Sequence, residues 1–318
     1  MSSSKQDQIE TVDARQAVQG RLSSQLDIVI PAAYAPDNLV TLYHGDCLEF
    51  LGTIPDESVQ LVVTSPPYNI GKEYEQVLDI EEYRAQQKQV IDACVRVLKP
   101  QGSICWQVGN YVDNGEIIPL DVLLYDAFKS NGLKMRNRIV WHFGHGLHCK
   151  NRFSGRYETI NWFTKSDNYV FNLDPVREPQ KYPGKRHYKG PRVGELSGNP
   201  KGKNPSDVWN IPNVKSNHVE KTEHPCQFPV ALVQRLVLSM SNENDLVLDP
   251  FMGVGTAAVA AVRDSRRAAG AEVVKRYYDI AVERVRSALV GELRIRPDRP
   301  VYKPPANAKL ALNPWEDQ

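Results

Sequence analysis

Two short stretches of the chain carry residue types that could do chemistry. The first is Thr64-Ser65-Pro66-Pro67-Tyr68, which closes the β-branched run Val59–Thr64. Consecutive prolines remove two N–H donors and stiffen the turn, leaving the carbonyls before them free to accept. Ser65 adds a hydroxyl beside them, and Tyr68 is held where its ring can lie flat against something planar. Taken alone, P-P-Y suits a rigid loop with a packed tyrosine better than a reaction centre. The second stretch is Asp249-Pro250-Phe251-Met-Gly253-Val-Gly255-Thr256, after the apolar run Leu246–Leu248. Glycines at the carboxyl end of a strand let a ligand approach the backbone, and the helix beyond offers free N–H groups. Glu272 follows at about 23 residues, at the end of the next apolar run, placed to accept hydrogen bonds from ribose hydroxyls. Together these features indicate a nucleoside-containing ligand, and the lack of G-x-x-x-x-G-K-[ST] speaks against a triphosphate P-loop.

The surrounding pattern supplies elements able to hold both stretches. Helical periodicity runs from Ile80 to Leu98 and stops at Lys99-Pro100-Gln101-Gly102. A strand is expected at Ser103–Val108, a helix at Leu120–Ser130 and a strand at Arg138–Phe143. After the basic middle region come a helix (Pro229–Ser241), a strand (Leu246–Leu248), a helix (Thr256–Ser265), a strand (Arg267–Val274) and a helix (Tyr277–Leu289). Strands alternating with helices mean an α/β fold with a mostly parallel sheet and helices on both faces. The expected divisions are an N-terminal arm (1–38), a catalytic half (39–143), a basic insertion (144–223), a ligand-binding half (224–292) and a C-terminal tail (293–318).

Bulk charge sets a trap. The 318 residues hold 39 Lys+Arg against 38 Asp+Glu, a net charge of +1 that would argue against a nucleic-acid partner. Lys134–His224 alone holds 17 Lys+Arg against 8 Asp+Glu, so the remainder is acidic. Within it, the stretch from Lys181 through Lys185, Arg186 and Lys189 to Arg192 interleaves aromatics with cations, as a nucleic-acid surface does. No apolar run approaches the roughly 18 residues of a membrane span. The first residues have no apolar core of the export-signal kind, and the five cysteines are odd in number and scattered. A cytoplasmic, reducing location is expected. His142, His145, His148 and Cys149 lie close together, but their spacing is not that of a zinc finger, so no metal is expected.

The two stretches resemble the motifs of the β-class DNA amino-methyltransferases that use S-adenosylmethionine. Ser65-Pro66-Pro67-Tyr68 matches that family's [DNS]-P-P-[YF], and Asp249–Thr256 matches its D-P-F-x-G-x-G. His224-Pro225-Cys-Gln-Phe-Pro229 looks like its H-P-x-x-x-P, and Gly45-Asp46-Cys47-Leu48 like its short acidic motif. The order of motifs, catalytic then cofactor, is that of the β class, and the likeness spans roughly Leu42 to Leu289.

The resemblance implies a Rossmann-like methyltransferase fold and methyl transfer to the exocyclic amine of a base flipped out of double-stranded DNA. Ser65 Oγ and the Pro66 carbonyl would hold the two amino protons, with Pro67 shaping the turn and Tyr68 stacking on the base. Asp249, Pro250, Phe251, Gly253, Gly255 and Thr256 would face the methionine part of the cofactor. Glu272 would take the ribose, Asp46 would lie near the adenine, and His224 and Pro225 would border the methionine. Lys181, Lys185, Arg186, Lys189, Arg192, Lys201 and Lys203 would meet DNA. The target base divides the signals. Ser65 goes with cytosine N4 in this family, whereas Tyr68-Asn-Ile-Gly-Lys72, Asn199-Pro-Lys-Gly-Lys203 and Asp207-Val-Trp209 look like adenine enzymes; adenine N6 is narrowly favoured. A homodimer is expected, and a restriction endonuclease partner would be a separate chain. The rival of another class is a DNA-binding module that keeps the fold without turnover.

Overall fold

The computed structural model describes residues 28–71, 77–144, 146, 148–179 and 185–296. Its first half forms β1 (Val40–His44), α1 (Cys47–Thr53), β2 (Val59–Thr64), α2 (Ile80–Val97), β3 (Leu98–Val108) and a hairpin of β4 (Asn110–Asp113) and β5 (Glu116–Pro119). Two short helices, α3 (Leu120–Leu123) and α4 (Tyr125–Lys129), lead to β6 (Lys134–His142), β7 (Tyr157–Thr164) and β8 (Val208–Asn210). The last part is α5 (Val230–Met240), β9 (Leu246–Asp249), α6 (Thr256–Arg263), β10 (Arg267–Glu272) and α7 (Lys275–Leu289).

Eight strands form one sheet in the order β1-β10-β9-β2-β3-β7-β6-β8. Seven run the same way, and β7 is antiparallel to both neighbours. All six residues of β2 are buried, as expected of a central strand covered on both faces. Leu61 and Val63 join the apolar cluster beneath α5, α6 and α7, while Val59 and Val62 join the cluster beneath α1, α2 and α4. Side chains alternate from Leu61 to Val63, beyond an irregularity in the ladder between Val59 and Leu61, and so stitch the two layers together.

Local chemistry fixes the flanking helices. Asp79 caps α2 by accepting from the Glu81 N–H, and Tyr83, Gln87, Val90, Ile91, Cys94 and Val95 form its buried stripe. The α6 helix starts from Gly255 at φ +74°, and a Cβ there would come within 2.9 Å of Ala281 Cβ on α7. Only glycine lets these two helices pack this closely at that backbone angle.

The chain crosses from β9 through α6 to β10 on one side, and from β2 through α2 to β3 on the other. The neighbouring strands β9 and β2 therefore flank the topological switch, where α/β sheets open a crevice at their carboxyl ends.

Two expectations need correcting. The region 144–223 is not wholly an insertion: β7 lies between β3 and β6 in the main sheet, and β8 pairs with β6 at its edge. The apolar run Ile160–Phe163 belongs to the core for that reason. The helix expected over Leu120–Ser130 is two short helices meeting at Leu124. Among the described residues no helix is long and apolar enough to cross a membrane.

Candidate active site

Both motif stretches arrive at the switch point, one on each of its strands. Thr64, the last residue of β2, donates from Oγ1 to Asp249 Oδ1, the last residue of β9, at 2.5 Å. The same carboxylate oxygen accepts the Phe251 N–H at 3.1 Å. This clamp ties the loop after β2 to the loop after β9. Beyond it opens a cleft of about 320 Å³ lined by Ser65, Pro66, Pro67 and Tyr68 on one side and by Pro250–Val254, Thr256 and Glu272 on the other.

On the glycine side, Gly253 adopts φ +51°, and a Cβ would meet His224 Nε2 at 3.3 Å. The His224 ring packs edge-on against Tyr277 at 4.5 Å, so it roofs the loop from the segment before α5. Glu272 ends β10, accepts the Val274 N–H at 2.8 Å, and is pushed above the usual glutamate range by burial. Asp46 caps α1 through Leu48 and Glu49 and also lines the cleft. Asp249 is buried, its Oδ2 has no hydrogen-bond partner among the described residues, and desolvation raises its carboxyl to about 7. A buried carboxylate without a donor favours a positive charge in the cleft beside it.

On the proline side, the Tyr83 hydroxyl donates to the Pro67 carbonyl at 2.9 Å and fixes the turn to α2. Asn69 exchanges two hydrogen bonds with the Leu78 backbone, at 2.8 and 2.7 Å, closing the loop that follows. The Tyr68 hydroxyl lies 3.1 Å from Ser65 Oγ and donates to Glu158 Oε2 at 3.4 Å.

Every residue of Ser65–Tyr68 reaches the cleft, as do Asp46, His224, Pro250, Phe251, Gly253, Thr256 and Glu272. Pro225 is exposed and outside the lining, because the turn carries it away while His224 and Cys226 face inward. Asp249 and Gly255 lie behind the surface, the first as the clamp and the second as the start of α6.

Among the expected DNA contacts, Lys181 falls outside the described residues, and so, from the His/Cys group weighed for metal, does His145. Lys201 is paired with Asp174 at 2.5 Å and Lys203 with Glu178 at 3.6 Å. Arg192 is paired with Glu195 at 3.0 Å, while Lys185 and Lys189 have no carboxylate partner among the described residues. His142 is bonded to Asn210 through Nδ1, and His148 Nδ1 faces Arg156.

Sequence reasoning missed Arg284 altogether. This buried α7 side chain donates to the Val254 carbonyl and to Thr256 Oγ1 at 3.1 Å, and burial lowers its pKa to about 10. Glu158 and Gln107 were missed too, although an acid at the head of an apolar run in a basic region was a usable signal.

A family model described as DNA methylase, of the N6/N4 type, matches residues 59–283. The chain belongs to the N6/N4 DNA methylase family. Among its relatives, the Type II methyltransferase M.BglII of Bacillus subtilis is 53% identical over 80% of this chain and 71% of its own length. The DNA adenine methyltransferase YhdJ of Escherichia coli K12 is 34% identical over 77% of this chain and 82% of its own. TTHA0409 of Thermus thermophilus, solved in complex with S-adenosyl-L-methionine, superposes with a TM-score of 0.56 at 30% identity, covering 79% of this chain and 96% of that one. This methylase is therefore an S-adenosylmethionine-dependent enzyme acting on DNA. The cleft fits that cofactor: a buried carboxylate just behind its wall favours a positive charge nearby, a buried glutamate ends β10, and Gly253 keeps a backbone path open.

Proposed function

We propose that the methylase transfers a methyl group to the exocyclic amine of a base flipped out of duplex DNA, cytosine N4 ahead of adenine N6. The reading is carried by one observation: Ser65, Pro66 and Tyr68 line the same cleft as the glycine loop and Glu272. An exocyclic amine is a poor nucleophile because its lone pair is conjugated with the ring. Acceptors at Ser65 Oγ and the Pro66 carbonyl would hold its two protons and turn the lone pair toward the incoming methyl. Tyr68 would stack on the base, so positioning does most of the work. When bound, the cofactor supplies an electrophilic methyl group on a sulfonium. Glu272 would take its ribose hydroxyls, Asp249 its positive charge, and Phe251–Thr256 its methionine end.

The preference for cytosine departs from the narrow expectation of adenine. The motifs that favoured adenine have structural work of their own: Asn69 braces its loop through Leu78, Lys203 bridges Glu178 by backbone and side chain, and Trp209 is a buried residue of the edge strand. Lys72 lies outside the described residues. Ser65 then remains as the letter facing the base, and in this family serine accompanies cytosine. Adenine N6 is the second reading, supported by the 34% identity to YhdJ. Duplex DNA incubated with methyl-labelled cofactor and digested to nucleosides should carry label in N4-methylcytosine. Label confined to N6-methyladenine would overturn the order, and label in neither would remove the amine reading.

Lys185, Arg186, Lys189 and Arg192 are proposed as phosphate contacts, Lys201 and Lys203 as weaker ones, and Lys181 as part of the same stretch. A homodimer is proposed because so small a basic region grips little duplex alone, and a separate restriction endonuclease as the matching activity.

A further inference from the structure

Methylating an amine leaves its nitrogen with one proton too many. The N–C bond forms from the nitrogen lone pair, the C–S bond breaks with its electrons staying on sulfur, and one N–H proton must depart. On the reading above, the amine's first contact is the Ser65 hydroxyl, which accepts a hydrogen bond but cannot keep a proton near neutral pH. Behind Ser65 runs a continuous path. Ser65 Oγ is 3.1 Å from Tyr68 Oη, and Tyr68 Oη donates to Glu158 Oε2 at 3.4 Å. Gln107 Nε2 donates to the same Glu158 oxygen at 2.5 Å. Gly109 makes room for the path, since a Cβ there would lie 3.2 Å from Tyr68 Cε2 and 3.4 Å from Glu158 Cγ. Among the described residues, Glu158 is the carboxylate that this path reaches.

We propose that Glu158 is the terminal proton acceptor of the reaction, receiving the proton of the methylated amine through Ser65 Oγ and Tyr68 Oη. The amine proton passes to Ser65, the Ser65 proton to Tyr68, and the Tyr68 proton to Glu158. Both hydroxyls end neutral, the carboxylate ends as a carboxylic acid, and solvent takes the proton after product leaves. Glu158 does not touch the base; it positions the hydroxyl chain and gives it a direction. The groups facing it are Tyr68 from the turn after β2, with Ser65 on the far side of Tyr68, Gln107 from β3, and Trp141 across the ladder on β6. His142, next to Trp141, is engaged with Asn210, and the Cys226 thiol lies beyond Tyr68. Burial raises the Glu158 carboxyl to about 7, while the hydrogen bonds from Gln107 and Tyr68 oppose that rise. A base of this strength takes up protons in the range where the enzyme must work.

The inference rests on Ser65 as the contact of the amine, not on which base bears it. The test is the single-turnover rate of methyl transfer into duplex DNA at saturating cofactor, measured from about pH 5.5 to 9. The wild-type rate should rise with pH through about 7 and then level, because only the carboxylate can accept. Glu158→Gln, which keeps an acceptor for Tyr68, should be about 10²-fold slower and lose that acid limb. Tyr68→Phe keeps the ring and breaks the path, and should lose the limb as well. Cofactor KM should stay unchanged in Glu158→Gln, which reports an intact cleft. Survival of the limb in either variant overturns the proposal. If Glu158→Gln does not fold, Tyr68→Phe decides alone. Nucleosides from the same reactions report the base separately, so loss of the cytosine reading and loss of the relay are distinguishable.

Discussion

Asp249 meets two opposed demands. It clamps the β2 and β9 loops through one oxygen while the other is buried without a partner among the described residues, and its carboxyl rises from 3.8 to about 7. Between those values the folded chain holds a proton that the unfolded chain releases. The contribution to stability is therefore fully present below about 3.8 and is lost as pH rises through about 7. Above that the free enzyme carries a desolvated charge that the cofactor's positive end would compensate. Asp249→Asn keeps an acceptor for Thr64 and Phe251, so without cofactor it should be more stable than wild type by about 1–3 kcal/mol at roughly pH 8, with a clearly smaller gain near pH 5. It should also gain less from added S-adenosylmethionine. Thermal melts at both pH values, with and without cofactor, check this; a variant less stable at the higher pH would show that the carboxylate is already compensated. The letters of this site were legible because each solves a local backbone problem: two prolines, two glycines, an acid at a strand end. Glu158 was not, since its partner Tyr68 lies 90 residues away in sequence and only the sheet brings them together.

At the scale of elements, α7 does more than cover the sheet. Arg284 reaches from it to the Val254 carbonyl and Thr256 Oγ1, holding the glycine loop in the shape from which α6 starts. A buried guanidinium bonded to a carbonyl and a hydroxyl, with no ion pair among the described residues, keeps its place through those bonds, each worth roughly 1.5–3 kcal/mol when one partner is charged. Arg284→Met fills similar space without the donors. It should lower unfolding stability by about 2 kcal/mol and weaken cofactor binding about tenfold, while leaving DNA affinity in the absence of cofactor unchanged. Isothermal titration and duplex binding separate the two effects, and equal losses in both would mean a general loosening of the domain. The pattern of alternating strands and helices read well where each element packs on its sequence neighbours, as α2 does against β2 and β3. It read poorly where a distant partner decides. β7 is a central strand only because β3 and β6 pair with it, and its position after a Gly- and Arg-rich loop disguised it as part of an insertion. Leu120–Ser130 looked like one helix because its apolar spacing continues across Leu124, where the backbone nevertheless turns.

For the molecule as a whole, the net charge of +1 hides a division of labour between an acidic frame and a basic region. The structure refines that division, because a cation already neutralised within the protein contributes less to DNA binding than a free one. Lys201 and Lys203 face Asp174 and Glu178, while Lys185 and Lys189 have no such partner among the described residues, and Lys189 sits over the exposed ring of Tyr188. Each phosphate neutralised releases counterions, so the slope of log affinity against log salt falls by about 0.9 for every phosphate that is no longer neutralised. Lys185→Ala and Lys189→Ala should each reduce the slope by close to that amount and weaken binding similarly for all duplex sequences. Lys201→Ala should reduce it by clearly less, because breaking its bond to Asp174 is part of the cost of reaching a phosphate. Fluorescence anisotropy of a labelled duplex over a salt series distinguishes the cases. A full unit of slope removed by Lys201→Ala, with no change in Lys185→Ala or Lys189→Ala, would reverse the assignment and place the DNA against the Asp174–Glu178 side of the region.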